Sequence, residues 1–296
     1  MGTIFNGAPW NPDCDIFFYQ RIPRVLSAFL VGGALALTGS VFQAILRNPL
    51  ATPYTLGVTG GGSLGAVIVI SFPALHAVWG PVSTVQLASL FGSGLVMMAI
   101  YWLATRGECL SVNTLLLAGV TMGIFCGAMI VLVRFLSNPY ELVAIERWLV
   151  GGLTVTGYQE LSILFPLLIP GIGLLLSQMH ALNHLAFGEE LASGYGVDVE
   201  AVRRCSFLGG SIATASVVAA AGPVGFVGLI VPHAVKTMSG VDHRIVLPAS
   251  ILLGGAFLTV CDTVARTAFA PVEIPVGIIT ALLGAPFFIH ILLRTR

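Results

Sequence analysis

The residues of this chain that could do chemistry are arranged to recognise charge rather than to break bonds. Arg21 and Arg24 flank Ile22-Pro23, and Asp262 stands four residues before Arg266. Residues three or four apart share a helix face, so the first pair points one way and the second pair can neutralise itself. The planar guanidinium forks of arginine match carboxylates with defined geometry. Glu189-Glu190 follows Gly188, and carboxylates in the first turn of a helix complement its dipole. The six histidines are scattered; His180 and His184 have i,i+4 spacing but no third ligand near them, which reads as interfacial rather than metal-binding. The five cysteines (Cys14, Cys109, Cys126, Cys205, Cys261) show no ligand spacing and read as small apolar filler.

The nucleotide and hydrolase motifs are missing as well. Lys236 is the one lysine and Val235 precedes it, so no G-x-x-x-x-G-K-[ST] exists and the chain cannot hydrolyse nucleotide by a P-loop. No H-E-x-x-H occurs, and no G-x-S-x-G stands in the strand–helix setting a nucleophile needs. The expectation is a protein without catalytic residues, metal or cofactor of its own. Zero formal net charge leaves no basic face for nucleic acid.

The elements that must position these residues are set by a bilayer. The chain is 56% hydrophobic and 9% charged, with mean hydropathy +0.97, where a soluble domain carries about 25% charged residues. Its 35 glycines and 16 prolines sit inside apolar runs, where membrane helices tolerate them. Residues 1–20 lack the basic and apolar regions of a secretory signal and read as an outer surface segment, Ile16-Phe-Phe-Tyr19 being an aromatic interfacial patch. A ruler of about 20 residues per span then gives nine segments, at 24–46, 58–72, 85–105, 113–136, 160–179, 201–221, 227–239, 246–268 and 276–293. Few charges lie deep within them, which argues against a proton relay.

Two segments, 58–72 and 227–239, are short and broken by Gly57, Gly60, Gly61 and Gly62, and by Pro223, Gly225, Gly228 and Pro232. Broken segments at corresponding places in two halves signal inverted repeats around a central path. The reading is one membrane domain, 1–296, with a first half at 24–136, a central span at 160–179, a cytoplasmic segment at 181–200 and a second half at 201–293. Irregular backbone at membrane depth is tolerated only where protein buries it or a wet cavity receives it, which points to a conduit. With the loop 47–57 inside, eight Lys/Arg residues fall inside (Arg47, Arg106, Arg203, Arg204, Lys236, Arg244, Arg294, Arg296) and five outside (Arg21, Arg24, Arg134, Arg147, Arg266). Gly119, Gly123 and Gly127 form G-x-x-x-G twice, a face on which helix backbones approach closely. The longest polar inner stretch, His180 to Arg204, contains a short helix begun at Gly188 and ended at Gly194 or Gly196, a surface another protein can grip.

These features together resemble the FecCD-type permeases of bacterial ABC importers, which include cobalamin, haem and ferric-siderophore permeases. The resemblance covers essentially all 296 residues. It rests on Arg21-Ile-Pro-Arg24, Gly33-Ala-Leu-Ala-Leu-Thr-Gly39, Arg47-Asn-Pro-Leu-Ala51, Leu56-Gly-Val58, Leu115-Leu-Leu-Ala-Gly119, Trp148-Leu-Val-Gly-Gly152, Gly225-Phe-Val-Gly-Leu-Ile-Val-Pro-His233, Asp242-His-Arg244 and the run Pro275 to Pro286. It implies a polytopic all-α permease of the bacterial inner membrane, paired with a second copy, two ATPase subunits that bind ATP and Mg, and an extracytoplasmic binding protein. The family has ten spans, and the one before Arg-x-Pro-Arg is missing here, so nine are expected.

The resemblance also assigns residues. Arg21, Arg24 and Arg266 match arginines that meet acidic groups of the binding protein, six positive charges in a dimer. Ala186, Phe187, Gly188, Glu189, Glu190, Leu191, Ala192, Gly194 and Gly196 match the segment that couples to the ATPase. Ser111, Val112 and Asn113 match the cytoplasmic gate, with Val112 where a relative has a small hydroxyl residue. The substrate stays open among siderophore, haem, cobalamin and an oxyanion such as molybdate. A secondary transporter or channel with inverted repeats is the alternative function, and it needs neither the inner helix nor the outer arginines.

Overall fold

A computed structural model of the chain describes residues 12–79, 82–105, 112–153 and 157–294. Thirteen helices carry the described fold: α1 Pro12–Ile16, α2 Ile22–Ile45, α3 Val58–Ser71, α4 Thr84–Ala104, α5 Val112–Leu136, α6 Pro139–Val150, α7 Gln159–Ser177, α8 Met179–Leu185, α9 Glu189–Gly194, α10 Val199–Ala221, α11 Val227–Ser239, α12 His243–Thr267 and α13 Val276–Arg294. Among the described residues six helices are long and apolar enough to cross a membrane, and α3 and α13 supply shorter apolar ones. The chain is an all-α polytopic membrane protein.

All nine expected segments coincide with helices. Phe17–Arg21 is π-helical and joins α1 to α2, so helix runs unbroken from Cys14 to Ile45, through part of the expected surface segment. The aromatic residues Phe17, Phe18 and Tyr19 stay exposed along it. Sequence reading also missed α6, although its cap was written in the chain: Asn138 and Glu141 form a capping box ahead of Pro139. A two-residue hairpin, β1 Val78–Trp79 with β2 Val82–Ser83, joins α3 to α4.

The helix ends fall into two layers, named outer and inner after the Lys/Arg distribution. Arg24, Ile70, Val85, Trp148 and Val276 line one cavity at the outer end. Ile45, Ala104, Leu115, Leu175, Leu182 and Val202 share one apolar cluster at the inner end. So α2 and α4 run inward, α3 and α5 outward. The second half reverses this: α10 and α12 run outward. α11 runs parallel to α2, its Gly228 against Leu35 and its Lys236 against Gln43, and hence inward.

The break before each short helix has the same construction. Gly57 (φ 70) and Phe226 (φ 66) are both left-handed and immediately precede α3 and α11. Each packs on a glycine of the last helix of its half. A Cβ on Gly57 would lie 2.5 Å from the Gly119 carbonyl oxygen, and a Cβ on Gly284 would lie 2.4 Å from the Phe226 ring. A left-handed phenylalanine is rare; this one sits in the space left by a glycine without a side chain.

Glycine contacts also join the halves. A Cβ on Gly39 of α2 would lie 1.9 Å from the Gly228 oxygen of α11, and one on Gly62 of α3 would lie 2.9 Å from Val218 of α10. Small residues let membrane helices approach to backbone contact, where dispersion replaces the missing hydrophobic drive. Gly119 and Gly123 face the α3 entry in this way, whereas Gly127 has open space around it among the described residues.

Candidate functional site

The outer cluster is built where α2 and α12 pack antiparallel. Arg24, two residues into α2, sends Nε and Nη2 to the carboxylate of Asp262 at 3.1 Å each, and Nη1 to Glu273 at 3.0 Å. Arg266 reaches the same carboxylate at 3.2 Å, one turn along α12. Asp262 is 2% exposed. Such burial of a carboxylate requires its pairing, and here two guanidiniums hold it.

Two of the three expected docking arginines, Arg24 and Arg266, are thus paired within the chain. Two arginines face two carboxylates, so the cluster is locally neutral and the six positive charges of a dimer do not stand unopposed. Arg21 is exposed on the π-helical segment, one turn before Arg24. Beside the cluster a cavity of about 340 Å³ is lined by Arg24, Arg147, Trp148 and Glu273. Further along the outer end Arg134 pairs with Glu146.

The inner site is the turn from α8 into α9. Gly188 (φ 121) precedes Glu189, and Gly196 (φ 80) follows the helix. Ala192 is buried and fastens one side of α9, while Phe187 is 76% and Tyr195 75% exposed, with Leu191 and Glu190 also facing outward. Large apolar side chains grouped on a polar turn mark an interaction surface. Arg203 of α10 pairs with Glu189 beneath them. Asn183 of α8 bonds Asp242 and the His243 backbone N–H, tying α8 to the start of α12. The Asp242 carboxyl is held below its ordinary range, first by the Arg244 backbone N–H and then by Asn183.

The remaining expected residues are dispersed. Val112 opens α5 half-buried against the inner apolar cluster, Asn113 is exposed, and Ser111 lies outside the described residues. His184 stacks near Tyr195, with ring centroids 5.6 Å apart. Among the described residues no three His, Cys, Asp or Glu side chains come together. Sequence reading missed Arg47 and Gln43 as partners of the inner site. Arg47-Asn-Pro stood out as a motif, but contacts more than a hundred residues distant leave no local signal.

The fold and motifs can be set beside known proteins. The FecCD transport family matches residues 3–294. A cobalamin import system permease protein of Halobacterium salinarum is 40% identical over 93% of this chain and 72% of its own length. A hemin transport system permease protein of Yersinia pestis is 37% identical over 99% of this chain and 86% of its own. A solved structure described as an inward-facing metal-chelate type ABC transporter superposes with a TM-score of 0.85 at 31% identity, over 95% of this chain and 88% of that one. With inverted halves, broken short helices and a protruding inner turn already in place, this match over nearly the whole chain makes the protein a member of the FecCD transport family of membrane permeases.

Proposed function

We propose that this chain is the membrane-spanning subunit of a binding-protein-dependent ABC importer in the bacterial cytoplasmic membrane, and that it carries a metal chelate inward by alternating access. Two copies enclose the path, two ATPase subunits that bind ATP and Mg grip α8 and α9, and a binding protein docks at the outer end. The observation that carries this reading is α9, a six-residue helix that presents Leu191, with Phe187 and Tyr195 on either side of it, to the inner side. A secondary transporter has no use for such a surface. The relatives named above support a chelate of the cobalamin or haem class, and none of them supports an oxyanion.

The test is purification of the tagged permease from its own host membrane. An ATPase subunit should co-purify, and Phe187→Asp with Leu191→Asp should release it while the permease remains in the membrane. Vesicles containing the permease alone that accumulate haem or cyanocobalamin under an ion gradient would overturn the reading.

A further inference from the structure

Resting on the reading that α9 is gripped by an ATPase, we propose that Arg47 is the positioning residue that passes displacement of α9 to the broken segment 46–57, with Glu189 as the joint. Three observations meet at this residue. First, Arg47 is held at φ 47, one of two non-glycine residues with positive φ among those described. Such a backbone is costly for a side-chain-bearing residue and persists where its surroundings demand it. Second, its Nη2 donates to the Leu185 carbonyl at 3.3 Å, at the last turn of α8, and lies 4.0 Å from Glu189 Oε1. Third, the same Oε1 accepts from Arg203 of α10. Glu189 therefore stands between α10, through Arg203, and the turn that ends α2, through Arg47.

The remaining route is continuous. Arg47 N–H bonds the Ala44 carbonyl, and Asn48 N–H bonds the Gln43 carbonyl, so the turn after α2 moves as one piece. That turn leads through Leu50 and Pro53 to Gly57 and α3. One helical turn before Arg47, Gln43 sends Nε2 to the Gly228 carbonyl of α11 at 3.4 Å and accepts from Lys236 Nζ at 3.1 Å. A shift at Arg47 thus reaches both broken helices. α9 itself is six residues between two positive-φ glycines and can move as a unit. The Arg47–Glu189 contact is about half exposed on both sides and such pairs contribute little to stability, so the placement of Arg47 here is better explained by transmission than by folding.

The experiment uses the complete transporter with its ATPase subunits in nanodiscs, and Mg-ATP with vanadate as the probe. In a background from which the five native cysteines are removed, nitroxide labels are placed by Glu190→Cys on α9 or Leu50→Cys on the broken segment, and nucleotide-driven distance changes are read for each. In the otherwise unchanged chain both positions should respond. Arg47→Asn, which keeps a residue tolerant of left-handed backbone, should leave the response at 190 and reduce that at 50 by about twofold or more. Glu189→Gln should do the same, and Arg47→Lys should restore part of the response at 50. A full response at 50 in both Arg47→Asn and Glu189→Gln would overturn this proposal and leave the ATPase reading standing. No response at 190 in the otherwise unchanged chain would overturn the ATPase reading and this proposal with it.

Discussion

At the scale of single residues, Asp262 shows how one buried carboxylate can organise an outer face. Removing one member of a buried charge group leaves the others unpaired in low dielectric, a cost of about 3 kcal/mol or more. Asp262→Ala should therefore lower the unfolding midpoint in mild detergent strongly, although it removes a negative charge from a face expected to attract an acidic partner. Arg24→Glu and Arg266→Glu suffer the same fault as tests of docking, since each would place a third carboxylate in the cluster. Arg21 is the clean probe, being exposed and outside that network. Arg21→Glu should leave the midpoint unchanged and, if the outer face steers a binding protein, slow its association and flatten the salt dependence. Unchanged association kinetics would remove Arg21 from the docking surface.

At the scale of elements, glycine decides where helices start and how near they come. Gly188 has φ 121 and its N–H bonds the Leu185 carbonyl. Proline fixes φ near −65° and has no N–H, so Gly188→Pro cannot keep the entry to α9. The spans should fold as before, while ATP hydrolysis no longer drives uptake; undiminished transport in reconstituted vesicles would refute this role. The G-x-x-x-G run divides in the same physical terms. A Cβ on Gly119 would lie 2.7 Å from the Leu56 Cα, whereas one on Gly127 would meet nothing within 4 Å among the described residues. Gly119→Ala should destabilise by about 1–3 kcal/mol through overpacking, and Gly127→Ala should be neutral for folding of one copy. Equal effects of the two on thermal stability would show that α5 packs otherwise.

At the scale of the molecule, the two halves run through the bilayer in opposite senses, and the Lys/Arg distribution assigns which end is inside. Tyr140 is exposed at the outer end and Met238 at the inner end. In a cysteine-free background, a membrane-impermeant maleimide applied to sealed right-side-out vesicles should label Tyr140→Cys at once and Met238→Cys only after permeabilisation. The reverse pattern would invert the orientation and move α9 to the outer side, where no ATPase could grip it.

The sequence by itself determined the solvent and most of the elements. Apolar runs as long as a bilayer is thick, punctuated by charge, located all nine expected helices, because hydrophobicity and length are local properties that burial cannot override. It also marked the two broken helices, since Gly57, Gly60 and Pro232 carry their conformational constraints wherever they stand. Tertiary structure decided the rest. The neutralisation of Arg24 by Asp262 joins residues 238 positions apart, and Lys236 meets Gln43 across 193; no spacing rule reaches that far. The left-handed Phe226 is readable only beside Gly284, and Arg47 gains its partners only once α8 folds back beneath α2. Among the described residues, Arg24, Arg147 and Arg266 stand at one end of the helices and Arg47, Arg203 and Lys236 at the other, as the chain alone suggested. Which of them cancel, and which remain available to a partner, depended on the packing of helices that the chain brings together late.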